Sequence, residues 1–140
     1  MGRMVRAYER LGTVDVREVL KAIAEGRLFE FEGILCHTSG TRLLTYHTYG
    51  VKCCVPGCCI GGEYFAVEKA VNQASAKWHL NLYGEKDGQE IMMTSDHRVP
   101  KSRGGSNAIF NRQPMCYPHN TKKGNQLIHT WKYNSLMKKS

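Results

Sequence analysis

Residues 15–25, DVREVLKAIAE, place apolar side chains at Val16, Val19, Leu20 and Ile23, the i, i+3, i+4, i+7 spacing of one helical face. Asp15 stands where a helix cap belongs, Glu18 follows three positions on as in a capping box, and Gly26 marks the stop. The period then shortens to two at Phe29-Glu30-Phe31-Glu32. The stretch RLFEFEGILCHTSGTRLLTYHTYG predicts strand, turn, strand, with TSGT as the turn and Cys36 a buried residue of the first strand. A Cys-rich knuckle leads into a short strand from Tyr64 to Val67. WHLNLYGEKDGQEIMMTSDH predicts a β-hairpin, with strands from Trp78 to Tyr83 and Gln89 to Thr94 around EKDG, and Asp96-His97 ends its second strand. A loop rich in Gly, Ser, Pro and Arg covers Val99 to Asn107. Past Pro118 the chain has helix-forming stretches that Gly124 divides, and a C-terminal helix is expected after Leu127.

At 140 residues the chain has the size of about one ordinary domain. No run approaches the ~18 apolar residues of a membrane helix, and the first twelve residues hold no apolar signal-peptide core. An intracellular protein without membrane partners is expected. The net charge of +8 is unevenly placed. Residues 1–96 carry 11 Lys/Arg against 12 Asp/Glu, whereas residues 97–140 carry 9 Lys/Arg and no acid. That second part would attract a polyanion, and nucleic acid is the commonest one.

Four of the six cysteines crowd into CCVPGCC, and clustered cysteines without an export signal point to metal rather than disulfides. Cys116-x-x-His119 is a two-ligand clip with zinc-like spacing. Two Cys from the knuckle would complete a closed Cys₃His site. Cys53 with Cys58, Cys54 with Cys58, and Cys54 with Cys59 all have suitable spacing. The turn VPG favours Cys53 and Cys58. Separately, Asp96 can hold a hard cation and His97 can take a proton from water, the parts of metal-assisted phosphodiester hydrolysis. Arg98, Lys101, Arg103 and Arg112 could hold a nucleic-acid backbone, and Lys123, one helical turn after Asn120, could touch a phosphate.

Asp96-His97, Pro100, Gly104-Gly105, Asn111, Cys116-x-x-His119, Asn120 and Lys123, together with the upstream CCVPGC, resemble the HNH endonuclease family with its ββα-metal fold. The resemblance covers residues 51–125. It implies an α+β protein with a ββα-metal core around a structural zinc, preceded by a helix and β-hairpin extension in residues 1–50 and followed by a C-terminal helix. It also implies DNA, in double-stranded form, as substrate. His97 would be the general base, Asp96 a ligand of catalytic Mg²⁺ or Mn²⁺, and Asn111 the brace of the loop that orients His97. His119 has two registers. It either binds the catalytic ion as the last His of the motif, or replaces the second Cys of the clip and binds zinc, leaving the catalytic ion to Asn120. The second register is favoured, because it leaves no zinc position empty.

The alternative is a zinc-stabilised nucleic-acid-binding module without catalysis, or an accessory with phage packaging proteins as partners. The same basic surface and zinc clip would serve it. Residues 1–50 are expected to help choose the DNA rather than to act in the chemical step.

Overall fold

Asp15 and Gly26 bracket the first helix, α1 (Val16–Glu25). The Asp15 carboxylate accepts the Arg17 backbone N–H at 2.7 Å, satisfying one donor that a helix start leaves open. Gly26 adopts φ 67°, and its N–H returns to the carbonyls of Ala22 and Ile23. This computed structural model describes residues 8–71, 73 and 76–126. The helix expected after Leu127 lies outside the described residues. Among them, no helix is long and apolar enough to cross a membrane.

The chain is mixed α+β. Five strands form one sheet in the order β1-β4-β5-β6-β7, every neighbour antiparallel. These strands are β1 (Tyr8–Asp15), β4 (Tyr64–Ala70), β5 (His79–Lys86), β6 (Gln89–His97) and β7 (Arg112–Cys116). β5 and β6 form the expected hairpin. Asp87 (φ 54°) and Gly88 (φ 78°) make its two-residue turn, which needs left-handed backbone at both positions. The same geometry recurs at Glu32 (φ 48°) and Gly33 (φ 83°), between β2 (Phe29–Phe31) and β3 (Ile34–Cys36).

Four parts of the chain differ from the sequence expectation. The predicted first strand is itself the β2–β3 hairpin, and buried Cys36 ends its second strand. The predicted second strand is a helix, α2 (Thr41–Tyr49), with Gly40 as its cap. Its Thr and Tyr content suits strands. Helix wins because Leu43 and Tyr46, three apart, both enter the core. Thr45 is buried but satisfied, donating its hydroxyl to the Thr41 carbonyl at 2.8 Å. β1 and β7 had no strand pattern. β1 borrows its order from pairing with β4, whose Phe65 and Val67 are fully buried. β7 holds Pro114, which a sheet tolerates at an edge, and β7 is an edge.

The N-terminal part named from the sequence shares the sheet and the core with the rest. β1 pairs with β4, and the apolar cluster runs from Val19 and Ile23 through Tyr46 and Phe65 to Leu82, Met93 and Met115. Strand β6 is sandwiched near its end. Thr45 of α2 meets Ser95 on one side, at 2.7 Å between hydroxyls. On the other side Thr94 and Asp96 face α3 (Tyr117–Lys123).

The opposite side of β4 buries a carboxylate. Glu68, 2% exposed, accepts from Arg10 Nε at 2.7 Å, Asn81 Nδ2 at 2.8 Å and the Tyr83 hydroxyl at 2.5 Å. Removing the acceptor strands two buried donors, each worth about 1–3 kcal/mol. Glu68→Ala is therefore expected to lower unfolding stability by about 3 kcal/mol. The check is urea denaturation, read as a fall in midpoint at unchanged slope.

Candidate metal centre and adjoining cleft

Two segments far apart in sequence build the cysteine cluster. Cys53 and Cys58 flank the VPG turn, and Gly57 at φ 81° lets the chain fold back there. The loop is pinned to β7, since the Cys54 N–H donates to the Pro114 carbonyl at 2.9 Å. Cys116 ends β7 and His119 lies in the first turn of α3. The ligand atoms of Cys53, Cys58, Cys116 and His119 all lie within 4.8 Å of one another. His119 Nδ1 is 3.3 Å from Cys116 Sγ and 3.7 Å from Cys53 Sγ. Tetrahedral zinc with ordinary bond lengths requires S···N edges of about 3.5 Å. The donor set fits zinc in both geometry and chemistry.

Of the three knuckle pairings, the cluster uses Cys53 and Cys58, and Cys59 is exposed. His119 belongs to the cluster, where it could bind a metal such as zinc. The hydrogen bond from the Cys116 thiol, joined by the Cys116 backbone N–H, holds the Cys53 thiol down at about 4 against the effect of burial. That same thiol contact, with burial, pushes Cys116 up, and burial pushes Cys58 up. Thiols release their protons as a metal binds them.

Beside this centre, a cleft of about 210 Å³ opens where β6, the loop after it and the end of α3 meet. Asp96, His97, Lys101 and Lys123 stand on its walls. Asp96 is 7% exposed and accepts from Gln113 Nε2 at 2.9 Å. Lys123, 1% exposed, sets its ammonium 3.1 Å from the same carboxylate and donates to the His97 carbonyl at 3.1 Å. A lysine is almost never buried without such a partner. Asn120, one turn earlier on α3, donates its amide to the Thr94 hydroxyl at 2.8 Å. Thr94 lies two residues before Asp96, so Asn120 and Asp96 share one side of β6.

Asn111 ties the loop closed. Its Oδ1 accepts the Val99 N–H at 2.9 Å, and its Nδ2 donates to the carbonyls of Val99 at 3.1 Å and Ser106 at 2.8 Å. The expected brace is present in geometry. Gly105 packs so tightly inside it that a Cβ would run into the Val99 carbonyl and the Asn111 amide.

His97 Nε2 lies 2.7 Å from both Asn107 Oδ1 and Arg112 Nη1. Arg112 also donates from Nε to the Ser95 hydroxyl at 2.9 Å. Arg98 donates from Nε to the Arg112 carbonyl at 2.9 Å and lies over the Tyr49 ring. Three of the five cations expected at a nucleic-acid backbone have partners within the protein. Lys123 is committed to Asp96, and Arg112 and Arg98 are engaged inside the protein. Lys101 and Arg103 remain exposed, the latter donating to the Asn125 carbonyl. Sequence reading missed Gln113, Asn107 and the inward role of Arg112, because their partners become visible only once β7 is paired with β6. Comparisons with protein-family models, curated proteins and solved structures found no match.

Two outcomes test this geometry. One zinc per chain is expected by elemental analysis, lost in Cys53→Ser, Cys58→Ser and Cys116→Ser but retained in Cys59→Ser and His119→Cys. Gly105→Ala is expected to cost about 1–3 kcal/mol from overpacking. Thermal unfolding reads that cost, and zinc content should stay at one per chain.

Proposed function

We propose that this protein is a metal-dependent DNA endonuclease of the HNH type. The observation that carries the reading is the meeting of His97 and buried Asp96 on one cleft, with Asn111 closing the loop between them and the basic segment. His97 takes a proton from water, breaking an O–H bond and forming N–H, and the hydroxide attacks the phosphorus of the scissile phosphodiester. The leaving oxygen departs from the opposite side. Asp96 and Asn120 would be the oxygen donors for a Mg²⁺ or Mn²⁺ ion, which when bound would neutralise charge on phosphate and leaving oxygen.

Such an ion has a competitor. The Lys123 ammonium stands beside the Asp96 carboxylate, where a divalent cation would compete for the same oxygens. This contact favours a second reading, in which the Asp96–Lys123 pair is structural and the protein binds nucleic acid without cutting it. Exposed Lys101 and Arg103 serve either reading as backbone contacts, which position rather than specify.

Supercoiled plasmid nicking separates the two. Nicking is expected with Mg²⁺ or Mn²⁺ in zinc-loaded protein. His97→Ala should reduce it about 10²- to 10⁴-fold, the usual contribution of a general base. Asn120→Ala should reduce it while zinc stays bound. Equal nicking by wild type and His97→Ala would sink the nuclease reading, and tight DNA binding without nicking under any ion would establish the second.

A further inference from the structure

Helix α2 lies outside the segment that resembles a nuclease, yet a chain of hydrogen bonds leads from it to the imidazole of His97. Thr45, fully buried in α2, donates to the Thr41 carbonyl and shares a 2.7 Å contact with the Ser95 hydroxyl. A hydroxyl has one proton. With Thr45 spending its own on Thr41, the Ser95 hydroxyl must donate to Thr45. Its oxygen is then left to accept from Arg112 Nε at 2.9 Å. Arg112 Nη2 reaches the Ser95 carbonyl at 3.4 Å, so the guanidinium is held at two points on one residue. Its Nη1 is then aimed at the ring of His97, 2.7 Å from Nε2 and 3.4 Å from Nδ1.

Nε2 also has Asn107 Oδ1 at 2.7 Å, and it cannot serve both neighbours. A guanidinium only donates and an amide oxygen only accepts. Arg112 is half-buried and anchored twice, whereas Asn107 is an exposed loop residue whose amide can turn over and present nitrogen instead. The anchored donor decides the contest.

We infer that Arg112 is a positioning residue for His97, held by α2 through Ser95 and Thr45, and that it fixes the tautomer with the proton on Nδ1 and the lone pair on Nε2. Nε2 is then the nitrogen that receives the proton of the attacking water, an assignment that rests on the nuclease reading. The placement of the lone pair does not depend on it.

Long-range ¹H–¹⁵N correlation of the histidine rings in the zinc-loaded full chain reads the tautomer directly. In wild type, His97 should show a protonated Nδ1 and an unprotonated Nε2. Arg112→Gln and the near-isosteric Thr45→Val should move both nitrogen shifts toward a mixture of tautomers, with zinc content unchanged. In nicking assays, Thr45→Val should lower kcat on the order of 10-fold and leave KM within about twofold, in line with the range for partners that orient an active group. A protonated Nε2 in wild type, or shifts indifferent to both substitutions, would overturn the inference. Absence of nicking in wild type would instead remove the nuclease reading, while the ring spectrum still decides the tautomer.

Discussion

Cys53 and Cys116 stand 63 residues apart in sequence, and the Cys116 backbone N–H points at the Cys53 sulfur at 3.4 Å. Most of what surrounds the cleft depends on that closure. Helix α3 has seven residues, far below the length at which a helix holds itself together in water. Its first turn is fixed by His119 in the cluster, its middle by Asn120 on Thr94 and its end by Lys123 on Asp96. The three anchors have different strengths. Asn120 and Thr94 exchange one neutral bond, worth about 1 kcal/mol net. The buried ion pair loses in desolvation much of what it gains in attraction. A zinc ion bound by thiolates and imidazole contributes folding energy outright, on the order of 10 kcal/mol. With zinc bound, the cluster would be the strongest of the three anchors and would set the distance between α3 and β6.

The charges beside the cleft follow from this placement. Asp96 is the last acidic residue in the chain, and every charged residue after it is basic. Of those basic residues, Lys123 reaches Asp96 and Arg112 reaches the ring of His97. Both are turned inward by neighbours on β6 and β7, so they cannot be counted with the exposed cations. Among the described residues, the exposed cations beside the cleft include Lys101 and Arg103 on the loop that Asn111 closes and Lys122 on α3. A loop fixed by three bonds to one side chain holds its own charges in place at little entropic loss on binding.

How much of this was legible depended on whether the signal was local. Asp15, Gly26 and the EKDG turn act within a few residues, and they were legible, although the turn itself closes to Asp87-Gly88 because Glu85 and Lys86 pair with β6. Cys53 and Cys58 were legible because VPG allows few ways to bring two sulfurs together. The strand Arg112–Cys116 was not, since RQPMC has no alternation and gains its order from β6 and from the cluster at its end. With that strand unseen, Gln113 and Arg112 had no visible partners, and Lys123 looked like a surface charge. Helix α2 was misread for the opposite reason. Its local composition favours strand, and only the depth of Leu43 and Tyr46 in the core reverses the preference.

That helix ties the first fifty residues into the structure around Asp96 and His97. A segment added to choose DNA could be packed loosely, and its charges would face outward. α2 instead buries Leu43, Thr45 and Tyr46, and Tyr49 donates its hydroxyl to the Ile109 carbonyl in the loop before β7. Arg98 then stacks over Tyr49. The residues on either side of the Asp96-His97 pair are thus held from two directions, by α3 through Asp96 and by α2 through Ser95. A strand end gripped on one side can twist about its own axis, because nothing opposes the turn. Gripped on both, it has one orientation, and adjacent side chains that point to opposite sides of the strand keep a fixed relation. Asp96 and His97 are such neighbours. Helix α2 therefore holds the Asp96-His97 strand end as directly as α3 does.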